Sequence, residues 1–226
     1  MREKRDDPAG FTEGPDATKD WWKQTPAVLG LPVEVDAPEQ KSRPWVTWSL
    51  CLAILAVGLV TMLNLEFWVK EYGLVPAQAG RHHGLTFLTS FFLHAGFVHL
   101  LTNLYFLLIF GPKVEEFLGW PRYLLVIAGA AFAGDLLHIT ADPKASIPII
   151  GASGGISGVL VFYALQFPRV RLGLMFRVWF EFRWIEFRAW VWLLIWLGLQ
   201  LIGAAVQLAR MSSVSSLAHL GGPCPV

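Results

Sequence analysis

The chain has 226 residues, of which 54% are hydrophobic and 15% charged, with eleven Trp, sixteen Phe and a formal net charge of +1. A mean hydropathy of +0.49 excludes an ordinary soluble domain and points to an integral membrane protein. No basic block with interleaved aromatics suggests nucleic-acid binding, and two cysteines, Cys51 and Cys224, support neither a disulfide framework nor a CxxC zinc site.

Residues 1–44 are polar, carry six prolines and mix nine acids with seven bases. They read as a mostly disordered tail, with an interfacial piece at Trp21-Trp22. The first apolar segment starts near residue 46, too far in for a secretory signal peptide, so it is expected to remain in the mature protein. A membrane span needs about 20 apolar residues. Candidate spans run from Trp45 to Trp68, Gly96 to Phe110, Tyr123 to Ile139, Pro148 to Phe167 and Ala189 to Ala209. A sixth starts near Ser212. The connector Val69 to Ser90 separates the first two, and residues 45–226 form one transmembrane domain.

Fourteen of the eighteen Lys and Arg fall on the side of the amino terminus, leaving Lys70, Arg81, Lys144 and Arg210 on the other. The positive-inside tendency places the amino terminus in the cytoplasm. His99, Asn103, Ser153 and His219 then all lie in the outer half of the bilayer. Polar groups at that depth are costly and suggest function.

Ser153 lies in Gly151-Ala152-Ser153-Gly154. Gly151 and Gly154 permit close backbone approach, and a helix start offers free N–H groups to a developing oxyanion. The competing reading is helix packing by small residues, since Gly154 and Gly158 are spaced for it. A second GxSG, Gly155-Ile156-Ser157-Gly158, follows at once. His99 and Asn103, four apart, share a helix face and suit an oxyanion hole or a polar helix contact. His219 is a candidate general base or a hydrogen-bonded packing residue. His94, off the register of His99, reads as a support or gate for the site. Asp135 reads as a polar anchor, and Glu115-Glu116 as capping or pairing groups. His82, His83, His94 and His99 raise a metal or haem alternative, against which stands the lack of HExxH and of acid clusters.

The stretch from His94 to Asn103 resembles the rhomboid intramembrane serine proteases. So do Gly151-Ala152-Ser153-Gly154-Gly155-Ile156 with Phe167-Pro168-Arg169, and Ala218-His219-Leu220-Gly221-Gly222. The resemblance covers roughly residues 45–222. It implies an all-α, polytopic fold, a six-helix transmembrane bundle with a water-filled cavity open to the outer side. It implies Ser153 as nucleophile, His219 as base, and His99, Asn103 and the Ser153 N–H around the oxyanion, with His94, Gly151 and Gly154 in support. Glu115 matches a structural acid of the family. The implied substrates are transmembrane segments of other proteins in the lipid bilayer. No cofactor or metal is expected. The implied location is a bacterial inner membrane. A catalytically impaired relative that binds or escorts membrane helices is the alternative.

Two positions depart from the family: Ser157 stands where an aromatic is common, and the Trp-Arg pair of the first connector has no counterpart. The last helix is expected to be shortened. Fifteen residues from Ser212 to Val226 make about 22 Å of helix against a core of about 30 Å. Pro223 cannot donate to the carbonyl of His219. The chain as written is therefore expected to be poorly active or unstable.

Overall fold

The computed structural model describes residues 26–27, 29–178 and 181–208. The expected sixth helix, with His219, lies outside them, as does Trp21-Trp22. The described chain is mainly helical, and it divides into two compact units, Met1–Glu39 with Tyr163–Ile195 and Gln40–Phe162 with Trp196–Val226.

In the larger unit, α1 (Trp45–Thr61) passes through a 3₁₀ turn into α2 (Leu65–Tyr72). The break falls at Asn64, whose side chain accepts the N–H of Phe67 at 3.4 Å and so restarts the helix. Short α3 (Thr86–Phe92) leads to α4 (Phe97–Leu118) and α5 (Trp120–Ala141). Gly119, at φ 74°, separates the last two. The helices α6 (Ser153–Gln166) and α7 (Ala189–Leu208) follow, the end of α6 from Tyr163 and the start of α7 to Ile195 belonging to the smaller unit.

Three stretches are long and apolar enough to cross a membrane: Trp45–Tyr72, Phe97–Leu118 and Trp120–Ala141. At 1.5 Å per residue, 22 residues span about 33 Å, enough for a hydrocarbon core of about 30 Å. Half of the apolar window of α4 is buried, against 11% for α5. The most enclosed of these three helices therefore carries His99 and Asn103, and α5 turns most of its surface outward.

Two expected boundaries move. The second span continues past Phe110 to Leu118, through Pro112. A proline costs one backbone hydrogen bond, which helices in membranes tolerate when neighbours satisfy the freed group. Glu115 and Glu116 consequently ride on the last turn of α4 rather than follow it. The fourth span starts as a helix at Ser153, not Pro148. Its approach is extended: Leu74 and Ile149 exchange backbone hydrogen bonds at 3.0 and 2.7 Å, and Ala77 N–H reaches the Ala145 carbonyl at 3.0 Å.

Glu115 supplies what the start of α1 lacks. Pro44 makes no side-chain cap. Instead the Glu115 carboxylate accepts from Val46 N–H at 2.9 Å, Thr47 N–H at 2.8 Å and Thr47 Oγ1 at 2.7 Å. Glu116 accepts from the N–H groups of Lys41 and Ser42 at 2.7 and 2.9 Å. The capping role expected of these acids is thus seen, but on backbone N–H groups. Thr47 also meets the Tyr123 hydroxyl at 3.0 Å, joining α1, α4 and α5 at one end.

The smaller unit adds a sheet that the helical reading does not anticipate. β1 (Val33–Glu34) pairs antiparallel with β2 (Arg171–Val178), which pairs with β3 (Glu181–Arg188) from Arg171↔Arg188 to Val178↔Glu181. β1 falls within residues 1–44, read above as tail. Val33, Ala27 and Trp184 form its apolar centre, and a side chain on Gly173 would collide with the Trp184 ring. Arg171 bridges Asp36 at 2.8 Å and Glu186 at 2.7 Å. Burial acts to raise the Asp36 pKa, but the hydrogen bonds and charge of Arg171 hold it below the usual carboxylate value.

Glu115→Ala is expected to strand the Val46 and Thr47 N–H groups of α1 and to leave the Thr47 hydroxyl with Tyr123 alone, a loss of about 2 kcal/mol or more. Thermal melting in detergent checks it, and Glu116→Ala, on the exposed pair, should cost less.

Candidate active site

A cavity of about 180 Å³ opens between α4, α6 and α7 in the larger unit, with His99, Asn103, Ser153, Ser157, Trp196 and Gln200 among its lining. The sequence reading brought the first three to one level; the structure brings them to one space. Trp196 and Gln200 were not anticipated. A glutamine within the apolar α7 run was the only signal, and nothing local told which face it takes.

Glycines create this proximity. Gly151 has φ 125°, a conformation that side chains rarely adopt. A Cβ built there would lie 2.9 Å from His99 Cε1, 3.0 Å from His99 Nε2 and 3.4 Å from Ser153 Oγ. The imidazole and the hydroxyl thus flank one point that only hydrogen can occupy. Gly151 N–H is fixed by the Ser90 carbonyl at 2.9 Å. Further along α6, a Cβ on Gly155 would come within 2.9 Å of Ile127 on α5, and one on Gly158 would strike Ala130. Gly154 is looser, 3.4 Å from Ala131 Cα. The packing and site readings of this glycine run are therefore compatible: Gly155 and Gly158 meet α5, while Gly151 meets His99 and Ser153.

The two GxSG serines differ. Ser157 Oγ donates to the Ser153 carbonyl at 2.7 Å, the back-bonding usual for serine in a helix. Ser153 Oγ is buried and has no hydrogen-bond partner among the described residues. His99 Nδ1 accepts from the Ala95 N–H at 3.4 Å. That places the proton of a neutral ring on Nε2, which is likewise buried without a described partner. Asn103 Nδ2 donates to the His99 carbonyl at 2.8 Å, which uses one of its two N–H bonds.

His94 is fully buried. Its Nδ1 meets the Phe92 carbonyl at 3.1 Å, and its ring packs edge-on against His99 with centroids 5.0 Å apart. Its ring contact with His99 is what joins it to the cavity's lining. His82 and His83 sit apart from it, in a 3₁₀ turn at φ 50° and 56°. His82 pairs with Glu71 at 3.1 Å and stacks on Tyr72. Among the described residues no three of His, Cys, Asp and Glu gather as metal ligands. His219 lies outside the described residues.

A family model described as the Rhomboid domain matches residues 81–224. The chain belongs to the rhomboid family. As a rhomboid with membrane-spanning helices, it is an integral membrane protein. It is similar to the rhomboid relative YdcA of Bacillus subtilis (strain 168), 40% identical over 34% of this chain and 38% of that one. Rhomboid-type serine protease 2 of Emericella nidulans is 29% identical over 60% of this chain and 24% of its own length. Rhomboid protein 1, mitochondrial, of Saccharomyces cerevisiae is 30% identical over 61% and 38% respectively. The rhomboid chain described here thus spans 24–38% of the length of these curated relatives.

In this rhomboid, substitution of the glycines should rank by the contacts above. Gly151→Ala and Gly158→Ala are expected to lower the melting temperature clearly, a loss of about 1 kcal/mol or more. Gly154→Ala should be near neutral, because helix propensity offsets its looser contact. Equal effects at the three positions would contradict the packing described.

Proposed function

We propose that this rhomboid is an intramembrane serine endopeptidase that cleaves transmembrane segments of other membrane proteins. The reading rests on one observation above all. Ser153 Oγ and His99 Nε2 are buried, have no partner among the described residues, and flank one small cavity. Buried polar atoms in native structures are rarely left unpaired, and those that are often serve chemistry.

In this reading Ser153 Oγ attacks the scissile carbonyl and His219 takes the hydroxyl proton, later passing it to the leaving amine. The carbonyl oxygen, now negative, receives hydrogen bonds from His99 Nε2–H, the spare Asn103 N–H and the Ser153 backbone N–H. His94, Gly151 and Gly154 hold these groups in place. The start of α6 at Ser153 supports the assignment. Fourteen residues of helix reach only about 21 Å, so the helix covers less than a full hydrocarbon core. Extended backbone at that depth is tolerated where it is covered by protein or lines a wet cavity. Water there is what hydrolysis of an acyl-enzyme needs.

The test is labelling by a fluorophosphonate probe together with cleavage of a model transmembrane substrate. Ser153→Ala should abolish both. Ser157→Ala, which removes a hydroxyl already bonded to the Ser153 carbonyl, should retain a substantial part. The reverse ranking, or no labelling of the parent protein, would favour a relative that binds or escorts membrane helices without cutting them.

We further infer that the amino terminus lies in the cytoplasm, from fourteen of eighteen bases on that side, and that the membrane is a bacterial cell membrane. Five of those bases, Arg169, Arg171, Arg177, Arg183 and Arg188, lie in or beside the β2–β3 hairpin. A cysteine-reactive reagent that cannot cross membranes should label an added cysteine at Lys144, between α5 and α6, in intact cells, but not one at Arg183. Labelling at Arg183 alone would invert the topology.

A further inference from the structure

A second cavity, about 710 Å³, lies in the larger unit beneath α2 and the loop before α6. Three charged side chains line it: Glu66 and Lys70 from α2, and Arg81 from the following connector. None of them forms an ion pair among the described residues. Arg81 donates one N–H to the Gly73 carbonyl at 2.7 Å, while its Nε–H is buried and has no partner there. Both signs of charge are therefore present around one space without a direct ion pair among the described residues. The remaining wall is largely apolar, with Leu65, Val69 and Pro148.

The surroundings set the depth of this cavity. It lies against α2, the last part of the Trp45–Tyr72 span, and α2 presents Phe67, Trp68 and Tyr72 in a chain of ring contacts 5.3–5.4 Å apart. Aromatic residues beside a span end mark the headgroup level of a bilayer. A ligand suited to the cavity needs a negative group for Lys70 and Arg81, a positive hydrogen-bond donor for Glu66 and an apolar portion. A purely anionic headgroup would leave the Glu66 carboxylate repelled. A choline headgroup carries no N–H to give it.

We propose that this cavity binds the headgroup of a zwitterionic phospholipid of the ethanolamine class. Its phosphate sits on Lys70 and Arg81, its primary ammonium on Glu66, and its glycerol end over Leu65 and Val69. Two wall residues link the cavity to the other site. Ala95 lines it, and the Ala95 N–H is the donor to His99 Nδ1. Pro148 lines it three residues before Gly151. Occupancy therefore braces both segments that position the His99 and Ser153 side chains.

The full chain is reconstituted in membranes containing equal phosphatidylethanolamine and phosphatidylcholine, and retained lipid is counted by native mass spectrometry. The parent protein should retain about threefold or more phosphatidylethanolamine over phosphatidylcholine, an effect on the scale of an exposed charge pair. Phosphatidylethanolamine should also raise its melting temperature. Glu66→Gln should abolish that preference while phosphatidylglycerol is still retained. Lys70→Gln should lower retention of all three lipids. Both side chains are exposed, so neither substitution should prevent folding. Equal retention of the two lipids by the parent, or an undiminished preference in Glu66→Gln, would overturn the proposal. So would stronger retention of phosphatidylglycerol than of phosphatidylethanolamine. An equal melting shift from soluble glycerophosphoethanolamine would overturn a lipid as the occupant.

Discussion

Helices in hydrocarbon gain little from burying apolar surface against one another, so their association depends on how closely backbones can approach. In this protein that constraint falls on the glycines of the α6 region. Gly155 and Gly158 let α6 lie against Ile127 and Ala130 of α5, and Gly151 lets the extended approach to α6 lie against the His99 ring. The distances leave no room for a methyl group at Gly151. The neighbourhood of Ser153 and His99 is thus a by-product of packing: the side-chain cavity exists because the backbone around it comes so close.

Close approach alone would leave the extended chain before α6 with open backbone groups. An unsatisfied N–H or carbonyl in an apolar environment costs several kcal/mol. The Leu74–Ile149 exchange, the Ala77–Ala145 bond and the Gly151–Ser90 bond remove that cost with other backbone. At the start of α1 the same demand is met by carboxylates, Glu115 and Glu116, reaching from the end of α4. Four of the N–H groups from Lys41 to Thr47 are satisfied this way, and a negative charge at a helix start is also favoured by the helix dipole.

Against this background of satisfied backbone, the unsatisfied side-chain atoms stand out. Thr102, Asn103 and Ser157 all spend a donor on a carbonyl of their own helix. Ser153 Oγ, His99 Nε2 and His94 Nε2 have no such outlet among the described residues. For Ser153 and His99 the isolation follows from Gly151, which takes no side chain into the gap, and from the Ala95 bond that leaves the His99 Nε2 proton free to face it. Two of these atoms, Ser153 Oγ and His99 Nε2, belong to residues that line one cavity.

Much of this was legible in the sequence. Composition and run length give a membrane protein with helical spans, because hydrocarbon admits few other solutions. The His99–Asn103 spacing puts both on one helix face, because the α-helical period is local. The resemblance of three motifs gives the family. Other features depended on partners far along the chain. Which of the two serines has a bonded hydroxyl rests on which finds a carbonyl, and the capping by Glu115 rests on α1 and α4 meeting end to end. The start of α6 at Ser153 depends on Ile149 pairing with Leu74, 75 residues away. The three-stranded sheet needs Val33 to find Gly173. Gln200 is polar in any reading, but only the packing of α7 turns it toward the cavity. Local period and composition determine what each segment is; which polar groups are satisfied, and which are left without a partner, is decided only when distant segments come into contact.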